Sequence, residues 1–323
     1  MKMKILITGA SGFIGTNLME AFLSKGYEVI NVDWKEPKIP ERKNLWWNVD
    51  ITKYEPFEKA VMNFEPDYIV HLAARTDLDG KMLEDYDANI TGVENMLKIV
   101  HKLPNLKKII ITSSKFVTRN GYKIKNQHDF CPHTIYGESK VETEIHVWRD
   151  EPHCDWCIIR PTSIWGPWFG VPYRNFFDIV MKHMYFHIGH IKCHKTYGYI
   201  GNAVYQIEQL LFNETPEKSN KVFYIGDEPA YEINEWGDEI AAELGFKVPT
   251  MPVWFVKCLA QFGDFLNLFG IHFPMQSFRY GNMTNDGTND MSNTYKIAPE
   301  MPYTRLEGTK ATIAWIKKYE GNK

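Results

Sequence analysis

Tyr136 and Lys140 are spaced for proton chemistry. Four residues apart in Tyr-Gly-Glu-Ser-Lys, they share one face of any helix that runs through them. A free phenol, with a pKa near about 10, is a poor base at neutral pH. An ammonium group beside it stabilises the phenolate and brings that value down. The pair alone is common on helix surfaces. It gains meaning from Ile109-Ile-Ile-Thr-Ser-Ser114, an apolar run ending in hydroxyls. Parallel sheets present ligands with that carboxyl edge. Thr112 and Ser113 can equally serve only to end the strand. The chemistry on offer is removal of an alcohol proton, with a serine hydroxyl to steady the reacting oxygen.

Gly9, Gly12 and Gly15 follow the apolar run Ile5–Ile7 and precede an apolar-periodic segment, Phe13 to Lys25. Strand, glycine turn and helix N-terminus in one stretch leave backbone N–H groups aimed at a pyrophosphate. Ser11, Phe13 and Ile14 belong to the same cradle. Glu28-Val-Ile-Asn-Val-Asp33 then ends in an acid 18 residues beyond Gly15. That spacing suits a carboxylate on the ribose hydroxyls of a dinucleotide. A carboxylate repels a 2′-phosphate, so the expected cofactor is NAD rather than NADP. The plainer reading of Asp33 is a solvated strand end ahead of Pro37.

These groups need a doubly wound parallel sheet to hold them, and strands alternate with helices through the first half of the chain. The expected strands are Lys4–Ile7, Glu28–Asp33, Tyr68–His71, Lys108–Thr112, Trp156–Arg160 and Val222–Ile225. Helical periodicity covers Pro56–Phe64, Asn89–His101 and Tyr136–Trp148, then Asn175–His187, Val204–Phe212 and a helical pair from Asn234 onward. The fold class is therefore α/β, a Rossmann-type sheet with a smaller C-terminal α/β lobe that binds substrate. Residues 1–165, with pieces from about 195–232, form the cofactor domain, and 166–323 form mainly the lobe.

A net charge of −3 and no basic run argue against nucleic acid as a partner. The start of the chain is not a signal peptide and no apolar run is long enough for a membrane span, so a cytoplasmic location is expected. Five cysteines fit a reducing compartment, and Cys154-x-x-Cys157 reads as core thiols rather than a metal or redox pair. His183, His187, His190 and His194 are spaced for one helix face, but Gly189 interrupts it and carboxylate partners are missing. No metal is expected. Val253–Phe269 is unusually apolar for a surface helix; packing within the lobe or against a second subunit explains it more simply than a membrane or a lipid-linked substrate.

Taken in order, Thr8–Gly15, Asp33, Asp50-Ile51, His71-Leu-Ala-Ala74, Asn89, Ser113-Ser114, Tyr136–Lys140 and Arg160-Pro-Thr-Ser163 carry a resemblance. The chain resembles the extended short-chain dehydrogenases/reductases of the NAD-dependent epimerase/dehydratase group. The resemblance implies that Asp50 and Ile51 hold the adenine, and that Leu72, Ala73 and Ala74 line the cofactor groove. It implies that Asn89 orders the site, that Thr112, Pro161 and Thr162 pass beside the nicotinamide, and that Lys140 binds its ribose. Ser114, Tyr136 and Lys140 would be the catalytic residues. Lys115, Ser163, Asn175, Lys195 and Arg279 would face substrate, the last two clamping a diphosphate. Lys115 and Phe116 stand where dehydratases of the group carry an acidic pair, which removes dehydration.

The leading expectation is an epimerase or oxidoreductase acting on a nucleotide-sugar through a transient ketone, as a homodimer paired through Asn89–His101 and Tyr136–Trp148. The alternatives are a 3β-hydroxysteroid-dehydrogenase-like enzyme and a non-catalytic NAD-binding protein of the same fold.

Overall fold

The computed structural model describes residues 2–215, 220–271 and 273–320. Seven strands make one parallel sheet: β1 (Lys4–Thr8), β2 (Glu28–Asp33), β3 (Trp46–Asn48), β4 (Tyr68–His71), β5 (Lys108–Thr112), β6 (Asp155–Pro161) and β11 (Val222–Ile225). Their spatial order is β11-β6-β5-β4-β1-β2-β3. The chain steps outward from β1 to β3, then returns past β1 to lay down β4. The carboxyl ends of β1 and β4 therefore flank the crevice in which such sheets hold ligands.

Side chains alternate between two cores, as the strand period of two requires. Ile5, Ile7, Val29, Val70, Ile110 and Ile159 pack to one side with α1 (Phe13–Ser24) and α6 (Ile200–Phe212). Leu6, Val32, Ile69, Ile109, Ile111 and Ile158 pack to the other with α2 (Tyr54–Phe64) and α3 (Asp87–Val100). Beside α3 runs α4 (Ile135–Arg149). Strands covered on both faces must read as unbroken apolar runs, which is how this sequence reads.

Beyond the sheet lie three short pairings. β7 (Ser163–Trp165) pairs with β10 (Tyr197–Tyr199), β8 (His187–Ile188) with β13 (Thr250–Met251), and β9 (His194–Lys195) with β12 (Tyr231–Glu232). Around them sit α5 (Arg174–Met181), α7 (Ile233–Glu243), α10 (Ser292–Ile297) and α11 (Arg305–Glu320). The aromatic residues concentrate here: Trp236 meets Trp165, Phe176, Phe177, Tyr197 and Tyr231 at ring distances of 4.8–5.6 Å.

One helix in this half is shorter than its periodicity implies. The helix expected over Asn175–His187 ends at Met181, because His183 adopts a left-handed φ of 58° and the chain turns away. The histidines consequently share no face. His183 packs against Phe246, His187 hydrogen-bonds Asp238, and His194 lies beside Asp286.

The apolar segment after Pro252 forms α8 (Val253–Asn267), against which α9 (Ser277–Thr284) packs. Only Val256, Ala260 and Gly263 of α8 are buried. Its aromatic residues face outward rather than into the lobe.

Candidate active site

The glycine turn has the shape its residues imply. Gly9 sits at φ 73°, and a Cβ there would lie 2.7 Å from the Ala73 backbone nitrogen. A Cβ on Gly15 would fall 2.4 Å from the Gly9 carbonyl, so the first turn of α1 presses directly on the loop. No side chain caps α1 and no acid lies in its first turn, leaving its positive end uncompensated. This cradle fits a dinucleotide pyrophosphate.

Strand β2 ties the turn down. Asn31 accepts from the Ala10 N–H and donates to Ser11 Oγ, while buried Asp33 accepts from the Ser11 and Lys35 N–H groups. Burial raises the Asp33 pKa, against the pull of those hydrogen bonds. Asp50 is exposed and bonded to Thr52, whereas Ile51 lies in the core with its carbonyl accepting from Asn95. Leu72, Ala73 and Ala74 follow β4 directly, and Thr8 Oγ1 bridges the Ala73 N–H and His71. Burial drives the His71 pKa down to about 3, so the ring is neutral.

Asn89 is buried on α3 and bonds the chain that follows β4. Its oxygen accepts from the Arg75 N–H, and its nitrogen donates to the Arg75 carbonyl and Ser139 Oγ. Through these bonds it shapes the loop after β4. The Thr162 hydroxyl donates to the Ile225 carbonyl, tying the end of β6 to β11.

The catalytic candidates converge where β5 ends. Thr134 caps α4 by accepting from the Gly137 N–H, and the helix then presents Tyr136, Lys140 and Glu144 on one buried stripe. Tyr136 lies beside the Ser114 hydroxyl, and Lys140 Nζ donates to the Thr112 carbonyl at 2.9 Å. The electrostatics differ from the expectation. Burial pushes the Tyr136 phenol up, opposed by the Ser114 hydroxyl, and burial pulls the Lys140 ammonium down to about 7. Without a ligand, desolvation outweighs the stabilisation that an ammonium gives a phenolate.

Glu144 continues the four-residue spacing, and that spacing is the signal by which it could have been found. It pairs with buried Arg160 at 2.7 Å and accepts from Ser113, which leaves Ser114 as the hydroxyl that meets Tyr136.

On the substrate side, Lys115 Nζ donates to Ser163 Oγ at 2.8 Å, and Tyr173 lies beside the same serine. Tyr173 and Tyr197, which sequence reading missed, lie near this cluster, Tyr173 close enough to both Tyr136 and Tyr197 to disfavour their ionisation. Phe116 and Tyr86 pack on the Tyr136 ring. Burial and nearby Lys195 lower the Lys115 pKa to about 8. A cavity of about 580 Å³ opens beside Lys115, lined also by Arg119, Lys123, Lys125 and Gly287. Gly287 is the residue brought against Lys195. Arg279 instead stands exposed on α9, and Asn175 is exposed on α5. The structure therefore gathers Ser114, Lys115, Tyr136, Lys140 and Ser163, while Arg279 stands on the surface of α9.

Known proteins agree with this architecture. Over 98% of the chain and 100% of its own length, the Thermotoga maritima UDP-glucose 4-epimerase superposes with a TM-score of 0.72 at 21% identity. An N-acetylglucosaminyl-diphospho-undecaprenol 4-epimerase of Escherichia coli O157:H7 is 26% identical over 98% of this chain and 96% of its own. A 3-beta-hydroxysteroid dehydrogenase of Mycolicibacterium neoaurum is 28% identical over 77% and 72%. The model of the NAD dependent epimerase/dehydratase family matches residues 5–202. With its glycine cradle, Asp33 and this match agreeing, the chain belongs to the NAD-dependent epimerase/dehydratase family and its cofactor is NAD.

Proposed function

We propose that this enzyme oxidises a hydroxyl of a nucleotide-sugar to a transient ketone and restores it with inversion. The gathering of Tyr136, the neighbouring Ser114 hydroxyl and a lysine fixed on the Thr112 carbonyl carries the reading. Tyr136 takes the hydroxyl proton while Ser114 holds the reacting oxygen. Lys140, charged once an anionic ligand approaches, steadies the phenolate. NAD, when bound, supplies the hydride acceptor and donor. Gly9, Ser11, Gly12, Phe13, Ile14 and Gly15 hold its pyrophosphate, and Asp33 and Asp50 its adenosine.

Lys115, Arg119 and Lys195 gather positive charge suited to a diphosphate. The full-length similarity to the Escherichia coli enzyme, and to a UDP-glucose 4-epimerase of Vibrio cholerae at 27% identity over 97% of this chain, supports a sugar carried on a diphosphate. Pairing of two copies through α3 and α4, and residence in the cytoplasm, belong to the same reading.

A second reading, oxidation of an apolar alcohol, is favoured by the exposed aromatics of α8 and by the hydroxysteroid dehydrogenase relative. The test is reduction of bound NAD by a panel of nucleotide-sugars and sterols. Nucleotide-sugars should reduce it in the native enzyme and not in Tyr136→Phe. Response to sterols alone would establish the second reading instead.

A further inference from the structure

The α8–α9 hairpin is amphipathic the wrong way round for a surface helix. Its buried face is narrow and built from Val256, Ala260 and Gly263. Opposite, at helical spacing, stand Trp254, Cys258, Phe262, Phe265 and Phe269, all exposed. Past the helix end the apolar surface continues through Leu268, Phe269 and Phe278, which are 82%, 67% and 79% exposed. Soluble chains rarely leave a contiguous apolar patch of this kind uncovered.

The charges around it point to the occupant. Between Gly245 and Asn285 the sequence holds Lys247, Lys257 and Arg279 against one acid, Asp264, in a chain whose net charge is −3. Asp264 is itself engaged in capping α9, accepting from the Ser277 N–H at 3.1 Å. Lys257 lies over the Tyr280 ring and Arg279 is exposed. An exposed aromatic stripe flanked by cations suits the interface of an anionic bilayer. No described helix is long and apolar enough to cross one.

We propose that the α8–α9 hairpin is a peripheral membrane contact, seating the protein on an anionic lipid surface through Trp254, Phe262, Phe265, Leu268 and Phe269. From α9 the chain runs through Asn285 to Gly287, whose N–H and carbonyl bond the strand that carries Lys195. The membrane contact is thus one short segment from the substrate side of the site. The inference stands apart from the sugar reading, since lipid binding and turnover are read separately.

The test is flotation of the full-length protein with vesicles of phosphatidylcholine, with and without phosphatidylglycerol. Binding to the anionic vesicles is expected, with each of Phe265→Ser and Phe269→Ser weakening it about tenfold at unchanged melting temperature. Lys257→Ala should lower the anionic preference about fivefold. Absence of flotation, or variants that float as well as the native chain, would overturn the proposal. So would a native chain that elutes as a larger oligomer which Phe265→Ser dissociates, since a second copy would then cover the face. The nucleotide-sugar assay on the same variants tests the active site independently, and should be unaffected by either serine.

Discussion

Tyr136 and Lys140 are each buried at a cost to their charged forms, and that sets what their variants should show. Tyr136→Phe removes the proton acceptor but leaves the glycine cradle intact. Turnover should fall by about 10²–10⁴ while NAD binding, followed by fluorescence titration, is retained. Lys140 makes a separate statement about pH. Its folded pKa, about 7, lies below the usual 10.5. Below about pH 7 the amine is protonated in both folded and unfolded chains, so the burial cost is present in full. From there to 10.5 the unfolded chain holds a proton that the folded chain does not, so stability rises with pH across that window. Lys140→Met has no such proton, and its melting temperature without NAD should be flatter over the same range.

Elements carry the close approaches. Gly15→Ala would force α1 away from the Gly9 carbonyl. We expect about 1–3 kcal/mol of destabilisation in urea melts, together with loss of the thermal shift that NAD gives the native protein. Glu144→Gln leaves the Arg160 guanidinium buried beside a neutral amide, costing about 3–5 kcal/mol in the same measurement. The elements of the first half were readable because their physics is local. Ile109-Ile-Ile is apolar on both sheet faces, so Lys108–Thr112 had no other place to go. Tyr136–Trp148 needed one added residue at each end, where Thr134 caps the helix. What could not be read depends on distant partners. β8 and β13 are two residues each and exist only because Ile188 and Met251 meet across the lobe. Gly287 bridges to Lys195 beside β9, and no spacing in the sequence announces that pairing. Glu144 was overlooked although it repeats the Tyr136–Lys140 interval.

At the scale of the whole molecule, the last strand of the central sheet comes from the second half of the chain. β11 pairs with β6 from Val222 against Ile158 to Ile225 against Pro161. Because the family model ends at residue 202, a chain cut there retains the glycine cradle, Tyr136 and Lys140 but lacks β11. Such a piece should self-associate in size-exclusion chromatography, since β6 becomes a long apolar edge with free N–H and C=O groups. Synthesis places the native chain in that same position for a time. Pro161 precedes Val222 by about sixty residues, so at about 5–20 residues per second the ribosome leaves β6 bare for about 3–12 s. During that interval the emerging polypeptide is a template for strand addition by a neighbouring nascent copy, and a holdase that shields Ile158 and Ile159 would determine how much of it matures.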